Sequence, residues 1–220
     1  MPSATETLVA LGVMPVAVTR FCDLPGVTTV GGTKNPDIDA IIALGPDLVV
    51  VNDEENRIED ADALEAAGVT LHSMSPRSVA DVGSAVAALA DAVGRVAPAV
   101  AVPPFAPLDG TAFVATWCRP YMTCNGDTYA SSVLDALGLH NVYADEPTRY
   151  PEVTLGDVAA RAPQLVLLPD EPYPFAERHI PEVEAAVPVA RVVLVDGRDL
   201  FWWGIRTPAA LARLAASLSR

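Results

Sequence analysis

Apolar positions follow two rhythms along this chain, one helical and one continuous. "PSATETLVALGV" sets Leu8, Val9 and Leu11 on one stripe that stops at Gly12, with Ser3 placed to cap the helix and Glu6 three residues on as its capping-box partner. Unbroken apolar runs at 48–51 and 165–168 predict strands of parallel sheets covered on both faces, and helical segments alternate with them. In "SPRSVADVGSAVAALADAVGRV", Val79, Val82, Val86, Leu89 and Val93 recur at helical spacing, with Ser75 or Ser78 available as a cap. Pro98, Pro103, Pro104 and Pro107 follow, stop helical structure and form a linker before a strand over 112–116.

The pattern repeats. "IIALGPDLVVVNDEEN" is echoed by "VAARAPQLVLLPDEPY", each a helix, a turn with proline, an apolar strand and an acidic loop. "SATETLVALGV" is echoed by "DTYASSVLDALGL", a polar cap and a helix that ends in Leu-Gly. Two related α/β lobes are therefore expected: residues 1–74, a linking helix with its Pro-rich linker over 75–110, and residues 111–220.

Composition narrows the function. At 220 residues, 51% hydrophobic and 19% charged, the chain can bury a sizeable core, and no apolar run nears the eighteen or so residues of a membrane helix. The first basic residue is Arg20, so no export signal is visible; the expectation is a cytoplasmic protein as given, or a periplasmic or extracytoplasmic one if the front end has been removed. A net charge of −14, with Lys34 the single lysine, argues against nucleic acid as a partner. A GC-rich genome that favours Ala, Val, Arg, Asp and Pro accounts for it at least as well as adaptation to a high-salt cytoplasm. The odd set Cys22, Cys118 and Cys124 predicts reduced thiols.

Ligands of α/β sheets collect beyond the carboxyl ends of strands, which directs attention to the loops there. Phe21 is the only aromatic residue in the first hundred, whereas Trp117, Tyr121, Tyr129, Tyr150, Tyr173, Phe175, Trp202 and Trp203 crowd the loops of the second half. They read either as a wall for a flat ligand or as a roof over the sheet. The acidic run Asp53-Glu54-Glu55 reads as a solvated turn, with a hard-cation site as the less favoured alternative. Cys118 and Cys124 lack zinc or redox spacing, and His72, His140 and His179 are scattered. Gly31-Gly32 opens no phosphate loop.

The ordered set "PSATETLVALG", "FCDLPG", "VGGTKNPDIDAIIALGPDLVVV", "LEAAGV", "GDTYASSVLDALGLHNVYAD", "YPEVTLGDVAARAPQLVLLP" and "VPVARVVLVDG" resembles the substrate-binding proteins of iron-siderophore, haem and vitamin B12 uptake, the helical backbone metal receptors. The resemblance covers nearly the whole chain and is nearest a branch related to the cobalamin binders, with "WCRPYM" and "LPDEPYPF" as distinguishing loops. It implies two Rossmann-like lobes with parallel sheets joined by one long helix, the class III periplasmic-binding-protein arrangement, with the first strand absent and sheet edges open. It also implies a non-enzymatic binder with no cofactor of its own. The expected ligand is cobalamin, haem or a ferric siderophore, held between the lobes and delivered to an ABC permease. Carried over by position, the ligand contacts are Ser3, Ala4, Thr5, Phe21, Thr33, Lys34, Asn52 and Asp53 on one side, and Trp117, Arg119, Tyr121, Tyr129, Tyr150, Tyr173 and Trp202 on the other. Arg119 is the partner for a carboxylate or phosphate. The family's two docking acids fall at Ile58 and Gly156, with Glu59 and Asp157 one residue away. The alternative is a cytosolic enzyme or ligand sensor on the same scaffold, with Cys118, Arg119 and Asp127 as its reactive set.

Overall fold

The computed structural model describes residues 1–102 and 104–219; Arg220 and Pro103, one of the linker prolines, lie outside the described residues. Two units emerge. The first comprises residues 1–76, 81–100 and 203–206, and the second residues 77–80, 101–202 and 207–220. The expected linking segment is thus shared out rather than standing alone, and the helix within it packs with the first unit.

In the first unit the order is α1 (Pro2–Ala10), β1 (Ala17–Val18), β2 (Thr28–Thr29), α2 (Ile38–Leu44), β3 (Val49–Val51), α3 (Ile58–Ala66), β4 (Leu71–Ser73) and α4 (Val82–Ala92). Helix α1 begins earlier than its pattern predicts. Met1 is the N-cap, Pro2 presets the first helical turn, and Ser3 lies buried inside the helix, where its carbonyl accepts from the Thr7 hydroxyl at 2.9 Å. The predicted Ser3–Glu6 capping box is therefore not formed, and Glu6 instead meets Arg206 at 3.4 Å. Helix α2 is bounded as its residues dictate: the Asp37 carboxylate accepts from Ala40 N at 3.0 Å, and Gly45 takes the left-handed C-cap at φ 57°. Helix α4 buries Val82, Val86 and Leu89 of the predicted stripe together with Ala90, but it starts after a 3₁₀ turn at Val79–Asp81 and ends before Val93. Ser75 does not cap it; its hydroxyl accepts from Asp53 N at 2.9 Å. Strand β1 pairs in parallel with β2, and β3 with β4, as two separate ladders, with Val30, Ile41 and Leu64 as the small core beside them.

The second unit runs β5 (Gly110–Val114), β6 (Tyr121–Met122), α5 (Tyr129–Ala136), β7 (Leu139–Asn141), β8 (Glu152–Val153), α6 (Leu155–Arg161), β9 (Leu165–Pro169), α7 (Ile180–Ala186), β10 (Arg191–Val195), α8 (Gly197–Phe201) and α9 (Thr207–Leu218). Its parallel sheet has the order β10-β9-β5-β7. All five residues of β9 are buried, as a strand covered on both faces requires. Phe113, Val166, Leu168, Val158 and Val183 form the core on one side of this sheet. Thr128 caps α5 by accepting from Ser131 N, and Thr154 with Asp157 closes a full capping box on α6. Two hydrogen bonds from Thr154 hold the Asp157 carboxyl below the usual carboxylate range.

Helices α8 and α9 are joined by a forked ion pair. Arg213 donates through Nε and Nη2 to the two carboxylate oxygens of Asp199 at 2.8 and 2.6 Å, and the Asp199 side chain is only 4% exposed. Removing the guanidinium takes this forked ion pair from a buried carboxylate. Arg213→Ala is expected to cost about 3 kcal/mol in urea unfolding, with part of the loss restored by Arg213→Lys.

Candidate functional site

The loops at the carboxyl ends of the strands differ sharply between the units. In the first they are polar and knit to one another. Asn52, buried at the end of β3, donates through Nδ2 to the Met74 carbonyl at 3.0 Å and accepts through Oδ1 from Glu54 N and Glu55 N at 3.0 and 3.1 Å. Asn56 bonds Asn52 N at 2.9 Å and donates to the Thr33 carbonyl at 3.0 Å, while the Thr33 hydroxyl donates to Glu55 at 3.2 Å and Lys34 Nζ donates to the Glu54 carbonyl. Asp53 accepts from the Ser73 hydroxyl at 2.6 Å. Thr33, Lys34, Asn52 and Asp53 are thus brought together. One carboxylate oxygen each of Asp53 and Glu55, and the Glu54 carbonyl, accept from these donors, and no group of three or more His, Cys, Asp or Glu able to hold a metal ion occurs among the described residues.

Ser3, Ala4 and Thr5 are buried on α1, with the Thr5 hydroxyl 3.3 Å from Cys22 Sγ. Phe21 is 55% exposed, with the Arg20 guanidinium 5.0 Å from its ring centre.

The second unit presents rings. Strand β5 leads into a tight loop in which Met122 N donates to the Trp117 carbonyl at 3.2 Å and Thr116 N to the Met122 carbonyl at 2.9 Å. This closure throws Trp117 outward, 43% exposed, and sets Arg119 at the loop tip with φ 70°, a left-handed conformation rare for a residue with a Cβ. The Arg119 side chain is 78% exposed, 3.4 Å from Glu182. Beyond β9, Asp170 accepts from Gly197 N at 2.7 Å and pins the next loop to the start of α8. A Cβ at Gly197 would lie 2.5 Å from the Glu171 carbonyl oxygen, so this approach requires glycine. Burial pushes the Glu171 carboxyl up, against a hydrogen bond from Trp202.

Held in this way, Tyr173 meets Trp117 edge-on at 5.3 Å and packs on Phe175 at 4.8 Å, and both touch the His179 ring at 5.6 and 5.3 Å. Tyr121 is buried and stacks on Phe175 at 6.4 Å, and burial drives its hydroxyl pKa far upward. Phe175 is one of the aromatic residues expected to crowd these loops but not one of the ligand contacts carried over by position, and His179 is in neither set. His179 looks like a scattered histidine in the sequence, and only its position seven residues beyond Pro172, after the loop turns back, joins it to the rings.

The remaining expected residues sit apart from this cluster. Tyr129 is buried and its hydroxyl lies 2.8 Å from that of Thr207, tying α5 to α9. Tyr150 is 43% exposed with Arg149 5.9 Å from its ring centre, and Trp202 is half-buried with Arg198 at 5.8 Å. Of the alternative reactive set, Cys118 is buried in the core cluster, and Asp127 pairs with Arg149 at 3.4 Å and Arg77 at 3.7 Å. Among the described residues no helix is long and apolar enough to cross a membrane.

No family model matches the chain. Among curated proteins it is 24% identical over 184 residues to the vitamin B12-binding protein of Salmonella choleraesuis strain SC-B67, covering 76% of this chain and 69% of that protein. It is 26% identical over 186 residues to the vitamin B12-binding protein of Yersinia pestis strain Pestoides F, covering 76% and 66%. The chain matches about two thirds of these relatives' length. Its fold matches that of the periplasmic vitamin B12 binding protein BtuF of Vibrio cholerae (TM-score 0.78, 19% identity, 99% of this chain and 94% of the other). It also matches a periplasmic heme binding protein from Pseudomonas aeruginosa (TM-score 0.81, 20% identity, 99% and 90%). Each of these relatives and neighbours is named for binding vitamin B12 or heme.

The thiols report on whether Cys118 is open to chemistry. Cys22 is part-exposed, whereas Cys118 and Cys124 are buried, and burial pushes the Cys124 thiol up to about 11. Native protein is expected to react with a thiol reagent at one cysteine, mapped to Cys22, and at all three after denaturation. The architecture is α/β, and the fold is that of the periplasmic binding proteins just named.

Proposed function

We propose that the protein is a non-enzymatic binder of a flat metal chelate, a corrinoid first and haem or a ferric siderophore next. The observation that carries this reading is the ring cluster of Trp117, Tyr173 and Phe175 at the carboxyl ends of β5 and β9. Trp117 and the partly exposed Tyr173, braced from behind by the buried Phe175, lose little rotamer freedom on binding, so their apolar area is available to a planar guest at low entropic cost. Arg119, exposed at the edge of the same loops, supplies a forked cation for a carboxylate or phosphate on the ligand's periphery. The names of the relatives, vitamin B12-binding and heme-binding, support the ligand class.

Delivery to a membrane permease is part of the same proposal. Glu59 on α3 is exposed beside Arg57, offering an acid on the first unit, whereas Asp157 on the second is engaged by Thr154.

Titration with cyanocobalamin, cobinamide, haemin and a ferric siderophore, read by tryptophan quenching and visible spectra, tests the reading. One of these ligands is expected to saturate at one equivalent and to stabilise the protein by about 2.7 kcal/mol at a hundredfold excess over Kd. Trp117→Ala is expected to raise that Kd about tenfold or more, a loss of at least about 1.4 kcal/mol. Arg119→Ala is expected to weaken binding in a salt-sensitive way. No response to any of the four ligands overturns the proposal.

A further inference from the structure

The loop that carries Tyr173 and Phe175 ends on a hydrogen bond that a proton can reverse. His179 is the last residue of the 3₁₀ turn Glu177–His179, and its Nδ1 lies 3.0 Å from the backbone nitrogen of Ala176 and 3.2 Å from the Ala176 carbonyl oxygen. One ring nitrogen cannot serve both groups at once. Without a proton, Nδ1 offers a lone pair and accepts from the Ala176 N–H; with one it is a donor, can bond only the carbonyl, and leaves the N–H without its acceptor. The exchange is unequal, because the Ala176 carbonyl already accepts from His179 N at 2.9 Å whereas the N–H depends on the ring. Helix α6 begins with the same device built from a carboxylate: Asp157 accepts from Thr154 N, three residues back, at 3.0 Å.

What hangs on this bond is the ring surface. Ala176 directly follows Phe175, whose N–H donates to the Tyr173 carbonyl at 2.8 Å in a tight turn that carries both rings. The Arg178 guanidinium reaches the Pro174 carbonyl at 3.4 Å. His179 packs edge-on against Tyr173 and Phe175 and is 8% exposed, so a protonated ring holds its charge there with little water around it.

The titratable and charged groups around His179 are Tyr173 in ring contact, Glu177 and Arg178 in the same turn, and Glu182 on α7, which Arg119 meets from across at 3.4 Å. Tyr121 and Cys118 stand in the core behind Phe175. Asp170 and Glu171, in the same loop, are engaged by Gly197 N and Trp202 instead. Two carboxylates and two guanidinium groups offset one another, so a proton on His179 adds a net positive charge to the group.

We propose that His179 is a positioning residue for the ring surface, holding the Tyr173 loop through Ala176 while its ring is neutral and releasing it when the ring is protonated, so that affinity for a planar ligand falls on acidification. The affinity part rests on the function proposed above; the hold on the loop does not. Its sign follows from the acceptor role, since the hold is present above the range in which imidazoles titrate and lost below it.

Nitrogen-15 NMR of the full chain without ligand, between about pH 8 and about pH 5, follows the His179 ring and the Ala176 amide together. The neutral ring is expected as the tautomer protonated on Nε2, and its protonation is expected to speed Ala176 exchange at least about tenfold beyond the intrinsic effect of pH. His179→Asn keeps an acceptor and abolishes the titration, so its Ala176 amide is expected to be insensitive to pH. His179→Phe keeps a ring and removes the acceptor, and is expected to exchange fast at both ends. With cyanocobalamin as the probe, wild type is expected to bind about fivefold more weakly at the acid end, the worth of one hydrogen bond, and His179→Asn to show no such change. An Ala176 amide that stays protected while the ring titrates, equal cyanocobalamin affinity of wild type at both ends, or an Asn variant with the wild-type profile overturns the proposal. Because ring and amide are read in wild type, it stays testable where a variant fails to fold. Cyanocobalamin bound at neither end while Ala176 responds overturns the corrinoid reading alone and upholds the hold on the loop.

Discussion

Double-sided pairing of one buried strand is the constraint on which the second unit depends. Leu165–Pro169 is hydrogen-bonded to β10 on one edge and β5 on the other, with every side chain buried. A strand so enclosed cannot slip by a residue without exposing its apolar set. Its carboxyl end, and that of β5 beside it, are therefore fixed points, and the two loops that leave them start from known positions. Gly197 and Asp170 then hold the second loop close, and the Thr116–Met122 pairing closes the first. The Trp117–Tyr173 contact follows from these restraints rather than from any attraction between two mobile loops.

The first unit works under a different constraint. Its strands are two or three residues long and pair on one side, so its loops are ordered chiefly by side-chain amides and hydroxyls. Asn52 alone accepts from two backbone N–H groups and donates to a third residue's carbonyl. Such networks position polar groups well but leave apolar surface uncovered, as the half-buried valines of β3 show. One unit thus offers rings on a finished sheet, and the other polar loops on a divided one.

Much of this was legible in the sequence, where local chemistry decides the outcome. The run at 165–168 announced β9, the polar start of "DTYASSVLDALGL" announced α5, and the valine spacing announced α4. The start of α1 was not legible from Ser3 and Glu6, because Pro2 satisfies the first turn and Glu6 finds Arg206, distant in sequence. The short antiparallel pair of β6 with β8 was equally hidden, since two-residue strands carry no period. Within the candidate site, the crowding of aromatics into loops could be read, but not which rings would touch. Phe175 and His179 join Tyr173 through the turn of one loop, whereas Tyr129 turns inward to Thr207.

The central claim is that a rigid, ring-bearing surface on the finished sheet receives a planar ligand. Hydrogen exchange on the full chain, with and without the tightest-binding chelate, tests it most directly. The account predicts added protection in the segments 115–122 and 170–176, with the already slow amides of β9 unchanged. Protection confined to other segments, with these two loops exchanging as before, would contradict it.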